Sequence, residues 1–413
     1  MSTPNLLPLD GYTVVSLEQA VAAPLATRHL ADLGARVIKL ERVGEGDFAR
    51  NYDSAVKGLA SHFVWLNRGK ESVAVDLKDP AALAMVKRLI GAADVFVHNT
   101  APGAAERLGL GIAELREEFP NLITAAITGY GTAGPHQHRK AYDMLIQAES
   151  GLVSITGTPE TATKTGIPAS DIAAAHYTCQ SILAALLRRE RTGVGATLDI
   201  SMLDATAEWL GHPMYMRLYA GKQIQRMGLS HASIAPYNAY PTQDGEVLIG
   251  IQNDRGWAAL MQDVFERPEY VTDPRFATNI ARVEHRFECD AVVAAEAKKF
   301  SSEQLEERLD RANVAFAQLR DLQGLIDHPQ LAERDRWRTV DSPAGQLQAL
   351  LPPMNFRDVE LPVGRIPALG EDTVSVLTEF GVGADDVERL LSEGSLGTWD
   401  RAAPAEHGES AGV

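Results

Sequence analysis

The stretch YTVVSLEQAVAAPLATRHLADLGARVIKLE, residues 12–41, decides the fold class. Its opening, Tyr12 to Leu17, is a short valine-rich apolar run of the kind that forms a strand buried on both faces. Pro24 stands where a helix can begin, and Leu25, Leu30 and Leu33 then recur at helical spacing. Gly34 ends that helix, because glycine enters the left-handed conformation without a Cβ clash, and Ala35 to Leu40 is a second apolar strand. Strand, helix and strand in such quick succession predict a βαβ unit with parallel strands.

Outward from this unit the alternation continues. Ser72 to Val75, Asp94 to His98 and Leu122 to Thr128 are further strand candidates, each preceded by a helical stretch. The expected fold is therefore α/β, a parallel sheet with helices on its faces. The pattern changes after about Ala220. Pro236, Pro241 and Asp244-Gly245 are turn residues around Val247 to Ile251, which predicts antiparallel strands, and helical stretches follow from Trp257 to Phe265 and from Ser302 to Ala312. The expected organisation is a large domain over residues 1–205, a smaller α+β domain over 225–330, and a C-terminal segment over 335–400 that returns to the large domain. Within that segment Trp337 to Pro367 reads as proline-rich and irregular, and Glu371 to Leu391 as helical. The last dozen residues read as a disordered tail.

Composition narrows the function. The chain has 413 residues, 45% hydrophobic and 23% charged, enough for a large core and two domains. No run approaches the roughly 20 apolar residues of a membrane span, and Met1 to Asp10 lacks the basic-then-apolar order of a secretory signal. Cys179 and Cys289 are too few for a disulfide framework and have no partners at metal-ligand spacing. A cytoplasmic protein is expected. The net charge of −16 repels nucleic acid and anionic membranes, so neither is an expected partner. It repels anionic substrates as well, so a site for one must gather its positive charge locally.

Familiar nucleotide and hydrolase signatures are missing: no GxGxxG after the first strand, no Walker lysine loop, no GxSxG elbow between a predicted strand and helix, and no HExxH. Gly129-Tyr-Gly131 and Gly134-Pro135 form a glycine-rich turn after a strand, which by itself is only a turn. His136 and His138 read as part of a solvated loop rather than a metal site, and the adjacent Arg139 and Lys140 supply positive charge. Arg42, Lys78 and Arg107 fall near the ends of predicted strands. Each alone is a surface charge, but strand ends of a doubly wound sheet converge on one ligand crevice. With Lys140 they form a patch suited to a phosphate-bearing ligand. Asp171 precedes the long helical run Ile172 to Arg189, so it is a candidate N-cap. The same helix-end N–H groups would favour its ionised form and keep it available as a nucleophile. Local sequence does not separate the two roles.

These residues together resemble the family III (carnitine/formyl-CoA type) CoA-transferases. The resemblance is carried by Gly34-Ala-Arg-Val-Ile-Lys-Leu-Glu-Arg42 with Gly44-Glu-Gly-Asp47, and by Asn67-Arg-Gly-Lys70 with Ser72-Val-Ala-Val-Asp-Leu-Lys78. Asp94-Val-Phe-Val-His-Asn99, Arg107-Leu-Gly109, Thr128 to Pro135, Ala141-Tyr-Asp143 and Asp199-Ile-Ser-Met-Leu-Asp204 continue it in order. It implies a Rossmann-like large domain, a smaller domain and a homodimer of two interlocked rings. It implies Asp171 as catalytic nucleophile and coenzyme A contacts at Ala20, Val21, Ala22, Arg42, Lys78, Asn99, Arg107, Lys140 and Tyr142. It implies no metal and no tightly bound cofactor, with acyl-CoA and a carboxylic acid as substrates. Ser170 departs from the glycine that often precedes the aspartate.

The same superfamily holds acyl-CoA racemases, which place histidine where this chain has Tyr142 and glutamate near Asn253. A phenol with a pKa near 10 is poorly matched to α-proton abstraction, which favours transferase over racemase. An acyl-CoA binder without chemistry would not need Asp171. Gly228 to Ser233 lacks the glycine run of oxalate-using members, which disfavours oxalate. The block from His231 to Tyr240 with Ile251 to Trp257 resembles that of family members acting on C4–C5 dicarboxylates, a resemblance that implies such substrates, for which His231 and Arg255 are candidate holders of a second carboxylate.

Overall fold

The computed structural model describes residues 6–399, which divide into two compact units. One is built from the described residues up to Ser150, from Gly166–Gly211 and from Asp335 onward; the other is Gly151–Thr165 with His212–Arg334. The expected tail and the first residues of the N-terminal segment lie outside the described residues.

In chain order the first unit runs β1 (Thr13–Leu17), α1 (Ala22–Asp32), β2 (Arg36–Glu41), α2 (Ser61–Leu66), β3 (Lys70–Val75) and α3 (Pro80–Gly91). It continues through β4 (Val95–His98), α4 (Ala104–Arg107), α5 (Ile112–Glu118), β5 (Ile123–Thr128) and α6 (Asp143–Glu149). After α7 (Leu152–Ile155), which lies in the second unit, it resumes with α8 (Ala169–Thr192), β6 (Thr197–Ser201) and α9 (Met202–Trp209). The second unit contributes β7 (Tyr237–Pro241), β8 (Glu246–Gly250) and β9 (Phe316–Gln318). The chain then returns to the first unit with β10 (Trp337–Val340), β11 (Leu347–Leu350) and β12 (Leu396–Gly397).

The main sheet has the order β12-β3-β2-β1-β4-β5-β6. All of its pairings are parallel except that of β12 with β3. The order reverses between β1 and β4, which creates a crevice at the carboxyl ends of those two strands. Side-chain alternation sends Val14, Val37, Val95 and Val97 to a face covered by α1 and α8. Val15, Ile38, Leu40, Val73 and Phe96 face the opposite side with α3 residues Met85, Val86 and Leu89. Each such fully buried aliphatic side chain contributes about 1.5–3 kcal/mol. This two-sided burial is why the strands read as unbroken apolar runs.

Local signals set the ends of the elements. Gly34 has φ +100°, and a Cβ there would overlap the Leu7 side chain. Asp79 caps α3 by accepting from the N–H groups of Ala81 and Ala82, with Pro80 in the first turn. Gly193, at φ +70°, closes the 24-residue α8.

In the second unit β7, β8 and β9 form an antiparallel sheet around the Asp244-Gly245 turn, packed on Trp257, Leu260, Phe276 and Leu305. Two sequence expectations need correction. The stretch from Trp337 is not irregular throughout, because β10 and β11 pair as a hairpin in the register Trp337↔Leu350. The helical reading of 371–391 is broken into Thr373–Glu379 and Ala384–Ser392, because Gly381 takes φ +80° between them.

Candidate active site

Asp171 is the third residue of α8 and is not its cap; Pro168 occupies that position without a side-chain hydrogen bond. The helix-end donors go to Asp143, the first residue of α6. Its Oδ1 accepts from the N–H of Ser170 at 2.8 Å and from the N–H of Asp171 at 3.3 Å. Gln147, buried one turn along α6, donates from Nε2 to Asp143 Oδ2 at 2.6 Å. The sequence expectation that helix-end N–H groups hold Asp171 ionised is thereby overturned. Desolvation, helped by the neighbouring Asp143 charge, instead pushes the Asp171 carboxyl up to about 7. The residue keeps part of its surface open. Ser170 is fully buried beside it, and its Oγ has no hydrogen-bond partner.

Tyr52 faces the same region. Burial, then the charges of Asp47 and Asp171 and the nearby Tyr142, push its phenol up to about 12. Ile172, next to Asp171, packs with Ala20, Val21, Leu25 and Leu66, so the turn before α1 adjoins the start of α8.

That turn is held from two sides. Asn99, at the end of β4, accepts from Gln19 N–H at 2.9 Å and donates to Gln19 O at 2.8 Å. Asp47 accepts from Ala20 N–H at 3.1 Å. Ala20 is at φ +61°, a left-handed conformation that costs a non-glycine residue about 1 kcal/mol and persists only when its surroundings fix it. Helix α1 starts just beyond with no side-chain cap, so its first N–H groups point outward without intrahelical partners.

Beneath the turn lies a network of buried charges. Lys39 Nζ meets Asp47 Oδ2 at 2.8 Å and Glu18 Oε1 at 3.3 Å, and Lys70 Nζ meets the same Glu18 oxygen at 2.6 Å. Glu41 takes a two-pronged contact from Arg50 and a hydrogen bond from Ser72. Every one of these carboxylates is compensated, which is the condition for keeping charge in a core.

At the crevice between β1 and β4 a cleft of about 280 Å³ opens. Of the residues predicted from sequence, Arg42, Lys78 and Asn99 line it, together with Gln19, Asp47 and Ala104. Arg42 is exposed and pairs with Glu45 at 2.7 Å. Arg107 and Lys140 are exposed and do not line the cleft, although Ala104 and Leu108 on either side of Arg107 do. They correct the expectation of one four-residue basic patch. The Val21 and Ala22 side chains are buried in the core, so only their backbone is available to a ligand. Tyr142 is exposed and directly precedes α6, whose Asp143 contacts the start of α8; neither it nor Asp171 lines the cleft.

In the second unit His231 Nδ1 accepts from Ser233 N–H at 3.1 Å. Its basic neighbour is Arg286, which donates to His231 O at 2.6 Å, while Arg255 is exposed on the helix Asp254–Ala259. Among the described residues no group of three His, Cys, Asp or Glu side chains is placed to hold a metal, and no helix is long and apolar enough to cross a membrane.

Sequence reasoning missed Asp47, Tyr52, Asp143 and Gln147 as members of the site. Asp143 and Gln147 carry a faint signal, an acid and an amide four residues apart on one helix face. Nothing in the chain links them locally to Ser170, 27 residues on.

Residues 9–373 match the family model described as CoA-transferase family III. The human succinyl-CoA:glutarate CoA-transferase is 32% identical over 405 residues, covering 94% of this chain and 90% of that protein. The acetyl-CoA:oxalate CoA-transferase of Acetobacter aceti is 38% identical over 333 residues, covering 79% and 85%. A CAIB/BAIF family protein from Brucella suis superposes with a TM-score of 0.79 at 32% identity, covering 91% of this chain and all of that one.

Proposed function

The chain belongs to CoA-transferase family III, and from that premise we propose that it exchanges coenzyme A between carboxylic acids through covalent steps on Asp171. The observation that carries this reading is an aspartate in the first turn of α8 that is not sealed in the core and whose neighbouring N–H groups are taken by another side chain. A carboxylate tied up as a cap would have to break that bond to react. This one does not.

The ionised Asp171 attacks the thioester carbonyl of a donor acyl-CoA, forming an acyl-aspartyl anhydride and expelling the CoA thiolate. The thiolate attacks the aspartyl carbonyl, releasing the donor acid and leaving an aspartyl-CoA thioester. The acceptor carboxylate displaces CoA to form a second anhydride. Thiolate attack on its acyl carbonyl then yields the new acyl-CoA and restores Asp171. Arg42 and Lys78 hold the phosphates, and the start of α1 offers the backbone N–H groups of Val21 and Ala22 to the thioester, those of Gln19 and Ala20 being taken by Asn99 and Asp47. Arg107 and Lys140 act from the rim. No tightly bound cofactor enters this scheme.

For the acid we infer C4–C5 dicarboxylates, a reading supported by the succinyl and glutarate substrates named for the human relative. The Acetobacter relative is named for oxalate, so oxalate belongs in the same test. We further propose a homodimer, cytoplasmic in location. Leu187 and Trp209 of the first unit and Tyr219 of the second are large apolar side chains exposed on the single chain.

The test is a panel of free acids, oxalate to glutarate, offered with succinyl-CoA or acetyl-CoA, with the CoA esters separated by mass. New esters of dicarboxylic acids are expected. Intact protein incubated with acyl-CoA should gain the mass of CoA, lose it to hydroxylamine, and gain nothing when Asp171 is Asn. A CoA adduct that persists in Asp171→Asn would move the nucleophile elsewhere. Sedimentation of the purified chain checks the dimer.

A further inference from the structure

We propose that Asp143 is a positioning residue for the reaction: its carboxylate occupies the N–H groups at the start of α8 and places a fixed negative charge beside the nucleophile. This deepens the reading of Asp171 as nucleophile and rests on it.

Two donors, Ser170 N–H and Asp171 N–H, converge on one Asp143 oxygen, and Gln147 Nε2 holds the other. Gln147 is fully buried, so it keeps the Asp143 carboxylate in one orientation. A helix N-terminus normally lends its donors and its dipole to a first-turn acid. Here the donors are committed elsewhere, and Asp171 is left unassisted beside a like charge. Asp143 from α6 faces Asp171 directly, and Tyr52, from the turn after β2, feels the charge of Asp171 and has Tyr142 as a further neighbour. The α1 side contributes Val21, Leu25 and Ala26 to the apolar cluster against which the adjacent Ile172 packs. None of these neighbours is cationic.

The chemistry follows from that environment. An ionised Asp171 is held in a high-energy state by desolvation and by repulsion from Asp143. Forming the anhydride or the aspartyl-CoA thioester converts it to a neutral acyl group, so the repulsion disappears as the covalent bond forms. Asp143 therefore favours both covalent intermediates over free enzyme and makes the carboxylate more basic, at the cost of retaining a proton at lower pH.

Two variants separate charge from shape. Asp143→Asn keeps an oxygen able to accept from Ser170 and Asp171 while removing the charge; Asp143→Ala removes both. In Asp143→Asn the acid limb of kcat/KM against pH should move down by about one unit, because a lone desolvated carboxylate loses its proton more readily than one beside a like charge. At pH 8 its kcat should fall roughly tenfold, with KM for acyl-CoA within about twofold, the pattern of an interaction felt in the reaction and not in binding. The steady-state fraction of protein carrying CoA, read by intact mass, should fall as well. An unchanged acid limb with unchanged kcat in Asp143→Asn would reduce Asp143 to a structural cap and overturn the proposal, even if Asp143→Ala fails to fold. Loss of the nucleophile reading is seen separately, as turnover retained in Asp171→Asn.

Discussion

Asp47 Oδ1 accepts the backbone N–H of Ala20 at 3.1 Å, and Ala20 sits at φ +61°. The other oxygen of the same carboxylate meets the fully buried Lys39 at 2.8 Å, and Asp47 itself borders the cleft. One side chain thus ties the cleft wall, the buried charge network and the strained turn into a single rigid piece.

Ala20→Gly tests the strain. Glycine adopts positive φ freely, so the folded state should gain about 1 kcal/mol, offset in part by the looser unfolded chain. Denaturant unfolding should show a midpoint at or above that of the parent. A clear loss of stability would mean that the left-handed backbone is not strained. Asp47→Ala should behave oppositely, costing about 3–5 kcal/mol by depriving a buried lysine of its nearest partner.

Asp171→Asn should abolish transfer, and it should also stabilise the protein at alkaline pH. The folded carboxyl titrates at about 7, above its ordinary value, so the folded state binds the extra proton between roughly pH 4 and 7. Stability is therefore lost as pH rises through that window, and above it the charged group remains a burden. An uncharged asparagine removes the burden. At pH 8 the variant should be more stable by about 1 kcal/mol or more, with little difference at pH 4. Equal stability at both values would argue against a desolvated Asp171.

Neutralising Arg42 or Lys78 should raise KM for acyl-CoA by about 10-fold, the worth of one charge-assisted phosphate contact. For Arg42→Gln the effect should be the larger, because Glu45 loses its partner beside the cleft. The ratio of rates for two competing acids should not change. Arg107→Gln and Lys140→Gln should have smaller effects, since neither side chain lines the cleft. A change in acid preference in any of the four would place that residue at the acyl end.

Ser170→Ala removes a buried hydroxyl that lacks a partner. Its desolvation is uncompensated, so the variant should be more stable by about 1 kcal/mol. Turnover should stay within about twofold, as the Asp143 bonds run to backbone and survive the change. Thermal unfolding and a standard transfer assay measure both.

The sequence by itself determined the alternation of elements that builds the parallel sheet. It placed Arg42, Lys78 and Asn99 near strand ends that converge on one crevice, and put an aspartate at the mouth of the long helix. Such features are legible because burial on two faces and helix capping are written in residues a few positions apart. Only the tertiary structure decided what surrounds that aspartate. Asp143, distant in sequence, claims its helix donors, and the carboxyl titrates near neutrality where its helix position alone argues for a low value. Lys39 and Lys70 look like ordinary polar interruptions in strands, yet Glu18 and Asp47 bury them completely as ion pairs. Arg107 resembles Arg42 in composition and setting but stands outside the cleft. Desolvation and pairing depend on distances through space, which the order of residues fixes only after the chain has folded.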